Sequence, residues 1–233
     1  MRCILTTTGT SIITNIFKEM INKNDKTELK AGESLTGTFF RLCDNYSIED
    51  YDSPEIFTFI KTLNEKYSKC DLTINRLSAE TNSSDKMINE NLVSPEEDLV
   101  VLLHSDTIGG LIATKLLEVV LREKLKFKKI ALQKMDGIKG DDADKFGSGL
   151  TKLRLKLLNY TQNEYDQLIF NISGGYKGLI PAMTIFSMSE NNTDYMLCYL
   201  FESSEKIVRF NFKMGEIDLT CGNDRTTIKD LLP

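Results

Sequence analysis

Tryptophan is missing from this chain, histidine occurs once, at His104, and no two cysteines are spaced C-x-x-C. A lone histidine with scattered thiols excludes multi-histidine metal centres and makes the common zinc ligand sets untenable. The five cysteines (Cys3, Cys43, Cys70, Cys198, Cys221) are odd in number, and several sit in apolar, strand-like surroundings. They read as reduced thiols of a cytoplasmic protein. No run approaches the roughly 20 apolar residues of a membrane span. The first residues turn polar at Thr6, so they lack the apolar centre of a signal peptide. With a net charge of −5, the chain lacks the basic balance that broad binding to long nucleic acid requires. A small anion held by backbone amides and one or two lysines stays compatible with that charge. Neither the Walker spacing nor a G-x-G-x-x-G fingerprint occurs. Asp141, Asp142 and Asp144 lack the ligand spacing of a calcium loop, and no metal or cofactor is expected.

The most informative run is Asn171-Ile172-Ser173-Gly174-Gly175-Tyr176-Lys177-Gly178. It follows the apolar Leu168-Ile169-Phe170 and precedes a helical pattern from Leu179 to Met188. A strand, a glycine-rich turn and a helix together aim backbone N–H groups and a positive helix end at an anion. Lys177 adds a mobile cation. A plain tight turn is the competing reading.

Arg2 to Thr7 reads as a buried strand, and Ile12, Ile13, Ile16, Phe17, Met20 and Ile21 recur at helical spacing. Thr8-Gly9-Thr10-Ser11 joins the two, as a helix cap or a ligand loop. A short helix is expected over Leu35 to Cys43, and another begins at Ser53-Pro54-Glu55. Leu72 to Leu77 predicts a strand, and Ser78 to Asn91 a loop with a short helix. Asp98 to Leu103 is a strand, followed by His104-Ser105-Asp106-Thr107 and a helix over Leu111 to Leu121. Phe127 to Leu132 is a further strand, residues 136–149 a loop, and Leu150 to Leu158 mark a helix. Tyr195 to Phe201 and Ile207 to Phe212 form a late hairpin. Alternating strands and helices predict a Rossmann-like, doubly wound, mainly parallel sheet. We expect one domain over 1–233, with a core of about 1–190 and a C-terminal β-hairpin extension of about 194–233. Ligands of such sheets bind beyond the carboxyl ends of the strands, where loops 8–11, 104–107 and 173–178 lie.

Four motifs in order, Thr6-Thr7-Thr8-Gly9-Thr10-Ser11, Leu77-Ser78-Ala79-Glu80, His104-Ser105-Asp106-Thr107 and Asn171 to Lys177, resemble the CARF domain. The branch they resemble is carried by Csm6-type ribonucleases of type III CRISPR systems and by stand-alone ring nucleases. The resemblance implies a homodimer that binds cyclic oligoadenylate on its two-fold axis. Thr8, Gly9, Thr10 and Ser11, with Asn15, match the first ligand loop. Ser105, Asp106 and Thr107 match a loop near the adenine, and Ser173, Gly174, Gly175, Tyr176 and Lys177 match the second ligand loop. In ring nucleases of this kind a serine of the first loop and the lysine of the second are the functional pair, here Ser11 and Lys177. The Csm6-type ribonuclease site needs Arg-x4–6-His. Glu97, Asp98 and Leu99 stand where the arginine belongs, so that site is missing. A restriction-type nuclease needs Glu/Asp-x-Lys on a core strand, and Glu28-Leu29-Lys30 lies in a polar stretch.

Three functions follow as expectations. The first is a ring nuclease that binds cyclic tetra-adenylate, or cyclic hexa-adenylate, and cuts it by metal-independent 2′-OH attack. The second is a sensor that binds the same ring without cutting it, or the CARF part of an effector without its nuclease. The third is an unrelated Rossmann-type nucleotide enzyme, against which the missing glycine fingerprint argues.

Overall fold

The central strands carry apolar residues on both faces, the pattern of a parallel sheet covered on both sides. A computed structural model describes residues 1–22, 26–68, 72–139, 143–161, 165–175, 177–189, 194–201, 204–213, 216–221 and 224–228. The chain runs β1 (Cys3–Thr7), α1 (Ser11–Asn22), α2 (Lys26–Asn45), a 3-10 turn (Ile48–Asp50), α3 (Pro54–Tyr67), α4 (Ile74–Leu77) and α5 (Ala79–Asn89). It continues through β2 (Leu99–Ser105), α6 (Ile108–Glu123), β3 (Lys129–Met135), α7 (Ala143–Thr161), β4 (Leu168–Asn171) and α8 (Leu179–Ser189). Last come β5 (Tyr195–Tyr199), β6 (Val208–Lys213), β7 (Glu216–Cys221) and β8 (Asp224–Ile228).

All eight strands form one sheet in the order β3-β2-β1-β4-β5-β6-β7-β8. The five strands from β3 to β5 are parallel, and β6 to β8 continue as an antiparallel meander. This is the expected mixed α/β, Rossmann-like architecture. Successive residues of each parallel strand feed opposite cores. Ile4, Val100 and Ile169 pack under α1, α3 and α6, while Leu5, Val101 and Phe170 pack under α7 and α8. Phe170 stacks on Tyr195 at 5.9 Å and meets the edge of Phe186 at 6.0 Å. Among the described residues no helix is long and apolar enough to cross a membrane.

Several local expectations are corrected. Residues 72 to 77 form no strand. Both flanks of β1 are occupied by β2 and β4, and Ile74 and Leu77, three residues apart, share one face of the short α4. Ser78 to Asn91 is almost wholly the helix α5. Apart from Met87 its buried residues are polar (Glu80, Thr81, Ser83, Ser84), so no apolar period betrays it. The helix over Leu35 to Cys43 is part of the longer α2, which also contains Glu28 to Lys30. Within 136–149, α7 already begins at Ala143, and Asp141 and Asp142 lie outside the described residues. The late hairpin is extended by β7 and β8.

At the amino ends of β1 and β2 the Asp98 side chain, 1% exposed, ties the two strands together. It accepts hydrogen bonds from the Arg2 amide (2.8 Å), Arg2 Nε (3.0 Å) and the Ser94 amide (2.7 Å). Removing this acceptor orphans buried donors. Asp98→Ala should therefore destabilise the protein by roughly 2–4 kcal/mol, read as a lower urea midpoint.

Candidate functional site

β1 is hydrogen-bonded to β2 on one side and β4 on the other, both parallel. The chain leaves β1 toward β2 and β3, then returns across the sheet to β4. Beyond the carboxyl ends of β1 and β4 the connections therefore diverge, and a crevice opens. A groove of about 520 Å³ lies there. From the β1 side it is lined by Ser11, Asn15 and Lys18 of α1, and from the β4 side by Ser173, Gly174, Gly175 and Lys177. Arg76 of α4 and Ser78, the cap of α5, close one wall, and Tyr199 and Phe201 form the lip beyond β5.

Of the expected site residues, Ser11, Asn15, Ser173, Gly174, Gly175 and Lys177 meet in this groove. Ser11 and Lys177 are both exposed to solvent. Asn15 donates its side-chain N–H to the Leu77 carbonyl at 3.0 Å, so part of its capacity fixes α4 against α1. Ser173 Oγ accepts the Leu200 amide at 3.0 Å and joins the second loop to the end of β5. Tyr176 lies outside the described residues.

The other expected residues do structural work. Thr8 is buried, with its hydroxyl within hydrogen-bond distance of the Leu103 carbonyl (3.0 Å) and Thr114 Oγ1 (2.7 Å). The Thr10 carbonyl accepts the first amides of α1, from Ile13 and Thr14. Thr107 caps α6, accepting the Gly110 amide at 3.1 Å, and pairs with Ser105 Oγ at 2.9 Å. Asp106 accepts the Gly137 amide at 3.0 Å and faces Lys134 at 3.5 Å. Ser105, Asp106 and Thr107 are not among the residues that line the groove. Neither is His104, which is buried with Nδ1–H donating to the Ser105 carbonyl at 2.9 Å, and whose burial lowers its pKa. It faces a separate cavity of about 480 Å³ beside Tyr51 and Lys134.

The first and second loops touch through glycine. A Cβ on Gly9 would lie 3.2 Å from Gly175 Cα. Gly175 has φ +81°, and a Cβ there would lie 2.8 Å from the Thr7 carbonyl carbon. Thr7 Oγ1 donates to the Gly174 carbonyl at 2.6 Å. Beneath both loops is Glu80, 1% exposed, whose Oε1 accepts the Gly9 amide at 2.8 Å. The Gly175 backbone lies near the same carboxyl. Burial pushes the Glu80 pKa up, although the amides and the Ser78 hydroxyl around it oppose the shift. The Gly9 amide is thus turned inward. What the groove presents is therefore the side chains that line it.

Those side chains are cationic. Among the described residues Lys18, Arg76 and Lys177 line the groove, no carboxylate does, and none of the three is ion-paired. A chain of net charge −5 therefore concentrates positive potential at one place. Lys156 lies elsewhere and is held by Asp136 at 2.6 Å. Sequence reasoning missed Lys18, Arg76, Tyr199, Phe201 and the role of Glu80. One signal was available: Ser11, Asn15 and Lys18 are spaced four and three apart, which puts them on one face of α1.

The positive φ at Gly175 and its contact with Thr7 leave no room for a side chain. Gly175→Ala should cost roughly 1–3 kcal/mol in denaturant unfolding. An unchanged midpoint would mean that the loop yields without strain.

Comparison with curated proteins yields no match. A family model described as CRISPR-associated protein (Cas_APE2256) matches residues 75–211. The matched region holds Arg76, Glu80, the whole second loop and the lip aromatics, and it spans more than half of the chain. The chain belongs to the Cas_APE2256 family of CRISPR-associated proteins.

Proposed function

We propose that this protein is a cytoplasmic ring nuclease that binds a cyclic oligoadenylate, preferentially cyclic tetra-adenylate, in the groove between β1 and β4 and opens the ring. The observation that carries this reading is the meeting of Ser11, Lys177, Arg76 and Lys18 in one groove that no carboxylate of the described residues lines. Membership of a CRISPR-associated family supports it, because type III CRISPR signalling is the setting that the CARF resemblance implies. The aromatic lip supports a ligand with bases. Phe201 is 54% exposed and edge-on to Tyr199 at 4.8 Å, a surface on which an adenine can stack.

The chemistry follows from the ligand. A ribose 2′-oxygen forms a bond to the adjacent phosphorus as the bond from phosphorus to the 5′-oxygen breaks. The proton leaving the 2′-hydroxyl goes to solvent, and the departing 5′-oxygen takes one up. The products are a 2′,3′-cyclic phosphate and a 5′-hydroxyl. Ser11 holds the ribose in line, and Lys177 neutralises charge that grows on the phosphoryl oxygens. A ring with rotational symmetry is met by two copies of the groove, hence by a homodimer. α8 starts at the groove and exposes the apolar Ile185, which suits a face covered by a second copy.

Lys177→Ala should slow cleavage of cyclic tetra-adenylate by roughly 10²–10³-fold and weaken binding by much less, because the charge it stabilises is larger in the transition state. Ser11→Ala should slow cleavage through a looser ribose. Lys177→Ala cutting at the wild-type rate would remove Lys177 from the active site. Tight binding by a wild-type protein that leaves the ring intact would favour the sensor.

The phosphodiester contacts are side-chain cations near the surface, so the ring's affinity should fall as salt rises from about 50 to 500 mM. Isothermal titration at the two ionic strengths checks this, and equal affinities would contradict a phosphate-centred site.

A further inference from the structure

We propose that Glu80 is the positioning residue of this site, its buried carboxyl holding the Gly9 loop and the Gly174–Gly175 loop at one fixed spacing so that Ser11 and Lys177 address the same phosphodiester. The proposal rests on the cyclic oligoadenylate reading for its effect on cleavage, but the clamp is a property of the chain alone.

Four observations converge on it. Glu80 is 1% exposed and yet lies in the first turn of α5, a place where a helix needs no buried carboxyl. What needs it is the backbone of the loops. The Gly9 amide would have no acceptor without Oε1, 2.8 Å away, and the Gly175 backbone lies near the same group. Gly174 is built around it, since a Cβ there would overlap the Glu80 carboxyl carbon. The helix that carries Glu80 is itself fixed. Ser78 caps α5 and forms a capping box with Thr81, and Ser83 Oγ accepts the Asn171 side-chain amide at 2.8 Å. β1, β4 and α5 thus meet at one carboxyl, and a displacement of that group moves both loops.

Oε2 of the same carboxyl is buried without a hydrogen-bond partner among the described residues. A neutral carboxyl suits that surrounding, and it also places no negative charge behind a groove meant for phosphates. A glutamine satisfies the same amides through its carbonyl oxygen and has the same length. An aspartate is one methylene too short, and a leucine has the volume without the acceptor.

The test uses Glu80→Gln, Glu80→Asp and Glu80→Leu in the full chain. Single-turnover cleavage and equilibrium binding of cyclic tetra-adenylate are measured beside melting temperature. Glu80→Gln should stay within about threefold of wild type. Glu80→Asp and Glu80→Leu should lose roughly 10- to 100-fold in cleavage and less in binding, the scale of a misplacement near 1 Å. That split should hold even where the melting temperature is unchanged or raised, which a merely structural role does not predict. A folded Glu80→Leu that cleaves as fast as wild type overturns the proposal. Glu80→Gln as damaged as Glu80→Leu overturns it too. Amide hydrogen exchange at Gly9 and Gly175 tests the clamp without any ligand. Exchange there should speed up in Glu80→Leu and not in Glu80→Gln, and equal exchange in all variants overturns the clamp. If exchange behaves as expected while wild type neither binds nor cuts the ring, the clamp stands and the ring-nuclease reading fails.

Discussion

β1 is flanked by parallel partners on both sides, and the rest of the site depends on that constraint. A strand in this position sends its connection to one side while the next crossover returns on the other, so no loop covers the sheet end between β1 and β4. The crevice must be floored, because the strand ends present unpaired amides there. A small apolar residue leaves those amides unsatisfied, and an ordered loop costs length. α5 supplies Glu80 instead. The glycines at 9, 174 and 175 are what a carboxyl and two backbones in contact require. The functional groove is therefore a consequence of topology, with its floor set by one buried acceptor.

Electrostatics then separates this groove from the surface around it. The chain carries an excess of acid, yet the charged residues that line the crevice, among those described, are Lys18, Arg76 and Lys177. The carboxyl beneath them has its pKa raised by burial, which lessens the negative charge it would place there. Each cation comes from a different element (α1, α4 and the β4–α8 loop), so the field exists only in the folded protein.

Much of this was legible in the sequence. The alternation of apolar strands with helical patterns gave the parallel sheet, since burial on both faces leaves a mark in every central strand. The strand–glycine–lysine–helix run located the second loop for the same reason: φ above zero and close backbone approach leave glycine as the fitting residue. What failed was legible only in three dimensions. α5 buries Glu80, Thr81, Ser83 and Ser84, and Glu80 and Ser83 find partners far along the chain, so the segment read as a loop with only a short helix. Ser105, Asp106 and Thr107 have the composition of a ligand loop, and their hydrogen bonds to one another, to α6 and to Gly137 appear only in the fold. Arg76 looked like any exposed arginine, because nothing in its neighbourhood shows that α4 forms the wall of a crevice.

The central claim is that the groove opens a cyclic oligoadenylate. The direct measurement is incubation of the wild-type protein with labelled cyclic tetra-adenylate in a chelator, followed by chromatography and mass analysis of the products. The account predicts linear fragments that end in a 2′,3′-cyclic phosphate and a 5′-hydroxyl, formed at a rate the chelator leaves unchanged. A ring that stays intact over hours while bound, or that is not bound at all, would contradict it.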